Sequence, residues 1–273
     1  MTRKGLPRRW VPRRRRIGAS GDVEAAPSGE MGVVAGARSA LGLLTVVGGA
    51  QPPSPDAVVW FPVVGGLIGA ALGLLWWGSA QLWSPVLAAA IVVAADVALT
   101  GMLHLDGLVD SADGLLAHMS RDRRLQVMRE PTVGAFGVVT AVVVLVVRWA
   151  ALASLHPSIL LLCGLWALAR TAMVVITAVV PPARPDSLAS GFVSTAHRTG
   201  LWLAGMAGTA GAAAALVVWH GIAGAASTAA AAVAAGAVAM LARRRVGGYT
   251  GDVLGAAGAL AETVGLVVAA ARW

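Results

Sequence analysis

With one cysteine, one tyrosine and three phenylalanines in 273 residues, this chain is short of the groups on which several protein classes depend. The lone Cys163 sits in an apolar run, which excludes an intrachain disulfide framework and reads as a small buried hydrophobe. Charge is scarce too. Asp, Glu, Lys and Arg make up 12% of the residues, against about 25% in soluble domains, while 58% are hydrophobic and the mean hydropathy is +0.77. That balance excludes an ordinary soluble domain and predicts an all-α, polytopic membrane helix bundle. No solenoid-type repeat is present.

Acidic residues are the scarcer sign, 13 against 21 Lys and Arg, for a net charge of +8. Most of the excess lies in the first sixteen residues, where Arg3, Lys4, Arg8, Arg9 and Arg13 to Arg16 alternate with Pro and Gly without apolar periodicity. Residues 1–30 are therefore expected to be a disordered basic tail on the cytoplasmic side, and 31–273 a single integral-membrane domain. The tail suits anionic lipid headgroups; with no aromatic interleaving beyond Trp10, nucleic acid is not an expected partner. Residues 33–50 do not read as a cleaved signal peptide, because Arg38 interrupts the apolar run and the basic region is too long.

Runs long enough to span a bilayer fall at 58–77, 82–103, 133–153, 158–180, 200–220, 224–242 and 252–271, and the Gly-broken 33–50 segment reads as an interfacial or re-entrant helix. Basic residues concentrate in the tail, in 121–129, in 184–198 and at Arg243 to Arg245, whereas the connections near 78–81, 154–157 and 221–223 have none. Seven spans put every basic loop on the cytoplasmic side and the C-terminus outside. Gly65, Gly69 and Gly73 form a small-residue ladder, expected to pack helices closely.

Against this background His104 to Gly114 stands out, with Asp106, Asp110 and Asp113 in eight residues. On a helix their i, i+4, i+7 spacing stacks neighbours roughly 5–6 Å apart on one stripe. At an effective dielectric of about 20, two such charges repel by roughly 3 kcal/mol. A bound cation, neutralised carboxyls or splaying into water must relieve this. Oxygen ligands of this kind suit Mg²⁺, which takes one or two carboxylates and fills its other positions with water and phosphate. Spacing alone leaves two readings, a metal site for phosphoryl transfer and a solvated acidic helix end. The loop around Arg184 and the segment Gly247 to Asp252 are expected on the same membrane face.

Ionisable groups inside spans are costly, and four occur: Asp96, Arg148, Arg170 and Glu262. Asp96 lies about 21 Å along a helix from Asp110, too far to share its ion, and reads as an interhelical hydrogen bond or ion pair. Arg148 and Arg170 suit either phosphate or a carboxylate partner.

Three blocks resemble the membrane-bound cobalamin synthase family, the adenosylcobinamide-GDP ribazoletransferases. They are His104 to Gly114 running on through Arg121 to Arg123, Met128 to Glu130 and Gly134 to Gly137; Arg170 with Ala183 and Arg184; and Gly247 to Ala256 leading to Glu262. The likeness covers about residues 38–271 and leaves out the basic tail. It implies a transferase in which the hydroxyl of α-ribazole, or of α-ribazole 5′-phosphate, attacks the cobinamide-side phosphorus of adenosylcobinamide-GDP and GMP leaves. Mg²⁺ is the implied cofactor, with Asp106, Asp110 and Asp113 as metal and catalytic residues. Arg129, Arg170, Arg184, Gly251 and Asp252 are the candidate substrate and phosphate contacts. His104 is either the general base or a structural histidine. Arg121, Arg123 and Arg124 read as solvated positive-inside charges.

The chain departs from the family at Pro131-Thr132, where Ser-Arg is frequent, and at Pro185 to Ser187 in place of a Gly-rich element. The alternatives are a CDP-alcohol-type membrane phosphotransferase, whose pattern wants Ala-Arg where Ala117-His118 stand, and a transporter using the intramembrane charges.

Overall fold

The glycine ladder of the second helix decides how tightly the bundle closes. A Cβ at Gly69 would lie 2.2 Å from the carbonyl oxygen of Leu162, one at Gly65 would lie 2.6 Å from that of Trp166, and one at Gly73 would lie 2.7 Å from the Ile159 Cα. Only hydrogen fits at these positions, so two helix backbones meet where larger residues would hold them apart.

The computed structural model describes residues 29–49, 54–184 and 198–273. The helices are α1 (Gly29–Leu44), a 3-10 turn (Pro55–Trp60), α2 (Phe61–Ala80), α3 (Pro85–Leu99), α4 (Leu103–Leu116), α5 (Arg121–Val127), α6 (Ala135–Ala153), α7 (Ile159–Val179), α8 (Arg198–Val246) and α9 (Gly251–Ala269). Among the described residues the only β pairing is a bridge between Pro182 and Tyr249. The fold is the expected all-α membrane bundle. The expected basic tail lies outside the described residues up to residue 28, and the departure at Pro185 to Ser187 lies outside them as well.

Most apolar runs become helices close to their expected limits. α7 sits at the centre, packed on α2, α8 and α9, with Leu161, Leu165, Trp166 and Arg170 almost fully buried. α6 lies at the periphery and exposes Val138, Val139, Val142, Val143 and Val146. Such a stripe suits lipid rather than water. Five helical segments, from Asp56–Ala80 to Gly251–Ala269, are long and apolar enough to cross a membrane, and a sixth is added if α3 and α4 count as one bent span.

One expected turn is present, and one expected span is broken. The runs at 200–220 and 224–242 are two arms of α8, which loses helical geometry at His220 and Gly221. In a straight helix, residues 216 and 224 would be about 12 Å apart. Here a Cβ on Gly224 would touch the Leu216 carbonyl oxygen at 1.8 Å, so the chain doubles back. The first arm meets α7, with Gly164 against Leu216, and the second meets α9, with Ala231 beside Gly265.

The run at 82–103 is not one helix. α3 begins on a Ser84 cap with Pro85 in its first turn and ends at Leu99; Gly101 and Met102 are then left-handed, with φ of 57° and 62°. α4 starts immediately after them at 86° to α3. Met102 is the one non-glycine with positive φ among the described residues, a conformation costing about 1–2 kcal/mol for an L-residue. The cost falls one residue before the acidic helix, which then runs antiparallel beside the start of α9, with His104 against Gly255 and Gly107 against Asp252.

Candidate active site

Three sets of contacts hold α4 in place. At its C-terminal end, Nη1 of the buried Arg124 donates to the Gly114 and Leu115 carbonyls at 2.8 and 2.9 Å, satisfying acceptors a helix end leaves open. This corrects the solvated role expected of Arg124. On one flank Asp113, also buried, accepts from the Gly134 N–H at 2.7 Å and the Gly137 N–H at 2.9 Å, capping the start of α6 with a carboxylate. On the other flank α4 meets α9 at Gly107, where a Cβ would lie 2.8 Å from the Asp252 carbonyl oxygen.

The segment before α9 is pinned in turn. The Tyr249 N–H donates to Pro181 O at 3.0 Å, and the Ala183 N–H to Tyr249 O at 2.8 Å. Arg121 Nε donates to Val246 O at 2.9 Å and Nη2 to Ala183 O at 3.2 Å, so Arg121 is a tie between segments rather than a solvated charge. Tyr249 is fully enclosed, and burial pushes its phenol up to about 12. Arg184 reaches Leu125 O on α5. α5, 181–184 and 247–252 thus lie together at the end of the bundle where α4 finishes.

Asp106 is exposed, Asp110 half-buried, and Asp252 half-buried in the first turn of α9. Each stands in the field of like charge: Asp110 in that of Asp106, Asp252 and Asp113, and Asp252 in that of Asp106, with Arg129 as an opposing cation. Thr250 caps α9 by accepting from the Val253 N–H, and its hydroxyl also lies 3.2 Å from Asp252 Oδ2. Gly251 is exposed at the start of that helix.

Among the described residues no three His, Cys, Asp or Glu side chains converge as a metal cage. Asp113 explains part of this, since both its oxygens already accept backbone amides. What is left is Asp106, Asp110 and Asp252, loosely grouped. That donor set suits a cation holding one or two carboxylates and completing its shell with water and phosphate oxygens.

His104 and Arg170 lie elsewhere. His104 is buried beside Gly255 of α9, its Nδ1 has no hydrogen-bond partner, and it lines an internal cavity of about 20 Å³ with Asp96, Arg148, Arg170 and Glu262. In that interior Arg148 donates to Asp96 at 2.5 Å and to Glu262 at 2.9 Å, and stands 5.5 Å over the Trp166 ring; Trp166 Nε1 donates to Asp96 at 3.0 Å. Arg170 pairs with Glu262. The interhelical ion pair expected of Asp96 is present, and Arg170 sits among carboxylates rather than at the acidic rim. Missed from the sequence were Gly107, Gly134 and Gly137, whose visible signal was glycine inside or beside the acidic block, and Arg124, which nothing set apart from its arginine neighbours.

Fold and site together define a class: a multi-pass helical membrane protein with an acidic, arginine-flanked centre at one end of the bundle. The chain belongs to the cobalamin-5-phosphate synthase family, whose pattern it matches over residues 36–270. It is similar to the adenosylcobinamide-GDP ribazoletransferase of Bradyrhizobium diazoefficiens, with 36% identity over 256 residues, 88% of this chain and 94% of that one. Similar proteins of the same name occur in Roseiflexus sp. (35% identity; 88% of this chain, 91% of the relative) and Chlorobaculum tepidum (34%; 79% and 85%). No solved structure matches the chain.

Proposed function

We infer that this chain catalyses the reaction for which its relatives are named, a step of cobalamin biosynthesis. The hydroxyl of α-ribazole, or of its 5′-phosphate, forms a bond to the cobinamide-side phosphorus of adenosylcobinamide-GDP. The bridging P–O bond breaks, GMP leaves with the electron pair, and the hydroxyl proton passes to a base or to solvent. The observation that carries this reading is the packing of Asp252, at the start of α9, against Gly107 on the helix that bears Asp106 and Asp110, in a chain that matches the family over residues 36–270.

The residues divide the work. One or two of Asp106, Asp110 and Asp252 would hold Mg²⁺; when bound, the ion supplies neutralisation of the diphosphate charge. Arg129 and Arg184 offer guanidinium donors to phosphate oxygens, and the exposed N-terminus of α9 at Gly251 offers amides of the same polarity. Asp113 holds α4 and α6 in register for this centre. His104 faces away from it, which favours the structural reading of that residue over general base. The arginines of 121–129 and 243–245 flank the same end, so the centre is assigned to the cytoplasmic face.

The test is turnover by the full chain in detergent or vesicles, supplied with adenosylcobinamide-GDP, α-ribazole and Mg²⁺. Release of GMP matched by corrinoid product, stopped by chelator and restored by Mg²⁺, is expected. Absence of GMP, or use of a CDP-linked lipid instead, overturns the assignment.

A further inference from the structure

Beside the acidic centre an open cavity of about 410 Å³ is lined by Asp122, Leu125, Gln126, Arg129, Glu130 and Arg184. Its size is within the range of sites that take small ligands. Its chemistry is unlike the rest of the surface: an apolar floor at Leu125, two guanidiniums, an amide and two carboxylates. Arg184 joins it to the centre, because the preceding residues Pro181 and Ala183 are hydrogen-bonded to Tyr249 just before α9. Arg184 thus borders the cavity on the side of the acidic centre, and α5 with the residues just after it supplies the rest of the lining.

The carboxylates of that lining are not equivalent. Glu130 is held by Arg123 at 2.7 Å, whereas Asp122 and Gln126 stand exposed one turn apart on the same face of α5. A carboxylate beside a primary amide complements a guanine edge: the ring N1–H and the 2-amino group are parallel donors for one carboxylate, and the O6 oxygen accepts from the amide. Adenine offers no N1–H and hypoxanthine no 2-amino group.

We propose that this cavity is the guanosine subsite, with Asp122 accepting from the guanine N1–H and 2-amino groups, Gln126 donating to O6, and Arg129 and Arg184 holding the phosphate of the departing nucleotide. The assignment rests on the reaction inferred above and adds to it the residues that read the base. The subsite explains how a leaving group can be chosen by its base while bond exchange occurs a phosphate away.

The experiment measures inhibition of corrinoid product formation by GMP, IMP and AMP, using the full chain and its Asp122→Asn and Asp122→Ala variants. The wild type is expected to bind GMP roughly tenfold or more tightly than IMP, and AMP more weakly still, because a site built to accept a donor rejects its absence. Both variants should bring the GMP and IMP constants within about twofold and raise KM for adenosylcobinamide-GDP. A variant that retains the wild-type GMP to IMP ratio overturns the subsite, as does a wild type that does not distinguish the two. A wild type that forms no corrinoid product overturns the reaction itself, so the two failures are distinguishable.

Discussion

The carboxylates in the middle of the bundle and those at its end share a chemistry and differ in everything around them. Asp96 and Glu262 are buried against Arg148 and Arg170, two negative groups against two positive, every carboxylate hydrogen-bonded. Asp106 and Asp110 ride on α4 and Asp252 on α9 where the two helices pack at Gly107, in one another's negative field and with Arg129 as the cation acting on Asp252. Neutral pairing is what a low-dielectric interior demands of a charge, and it leaves nothing for a substrate to complete. Crowded like charge at a water-facing rim is the reverse, costly until a cation or a phosphate–metal complex enters. The ionisable residues inside the spans of this molecule are thus accounted for by their own pairing, while the carboxylates at its edge, with like charge around them, are the ones the proposed centre is built on.

The largest effect that would expose this contrast is Arg148→Ala. It leaves Asp96 without its guanidinium and Glu262 with Arg170 alone, and breaking a buried pair by removing one partner typically costs about 3–5 kcal/mol. The expected result is a fall in folded protein recovered from membranes and a lower unfolding midpoint, with whatever remains folded still turning over. A stable Arg148→Ala protein that has lost all activity would move the interior network from structure to chemistry and break the comparison.

Next in size is Asp110→Ala, expected to lower kcat by about 10²–10³-fold, the range for losing one group that stabilises developing charge. Stability should hold or rise, because the change removes repulsion with Asp106, Asp113 and Asp252. The measurement is paired: turnover with saturating Mg²⁺, and thermal unfolding of the same preparation. Wild-type turnover in the folded variant removes Asp110 from the centre.

Why sequence foresaw some of this and not the rest follows from what each signal averages over. Hydropathy placed α7 at 158–180 against Ile159–Val179 and α9 at 252–271 against Gly251–Ala269, because burial in lipid is a property of a whole run. The same averaging hid the bend inside 82–103, where two left-handed residues turn the chain without altering its apolarity. For the site, spacing foresaw that Asp106, Asp110 and Asp113 would share a helix, and the family blocks brought Asp252 alongside them. Spacing could not foresee that Asp113 would be taken by amides 21 and 24 residues away, since the need for it arises only when α6 begins beside α4. His104 misled for a related reason. It is next to the aspartates in sequence, but a helix turns about 200° between residues 104 and 106, so His104 points into the bundle beside Gly255 and the arginine network while Asp106 points outward.

The finest test separates charge from placement by leaving every charge intact. Gly107→Ala adds one methyl where α4 crosses α9, 2.8 Å from the Asp252 carbonyl oxygen, and that contact is with backbone, which cannot swing aside. The helices must part by a few tenths of an ångström, at a cost of about 1–3 kcal/mol for overpacking. Asp106 and Asp110 ride on one side of that crossing and Asp252 on the other. Widening it should therefore lower kcat by roughly tenfold and raise the Mg²⁺ concentration for half-maximal rate, while the interior ion pairs, which meet α9 at Glu262, ten residues beyond Asp252, keep most of the unfolding midpoint. If instead the midpoint falls as far as in Arg148→Ala and the Mg²⁺ dependence stays as in the wild type, the two regions are one cooperative unit and the division drawn between them fails.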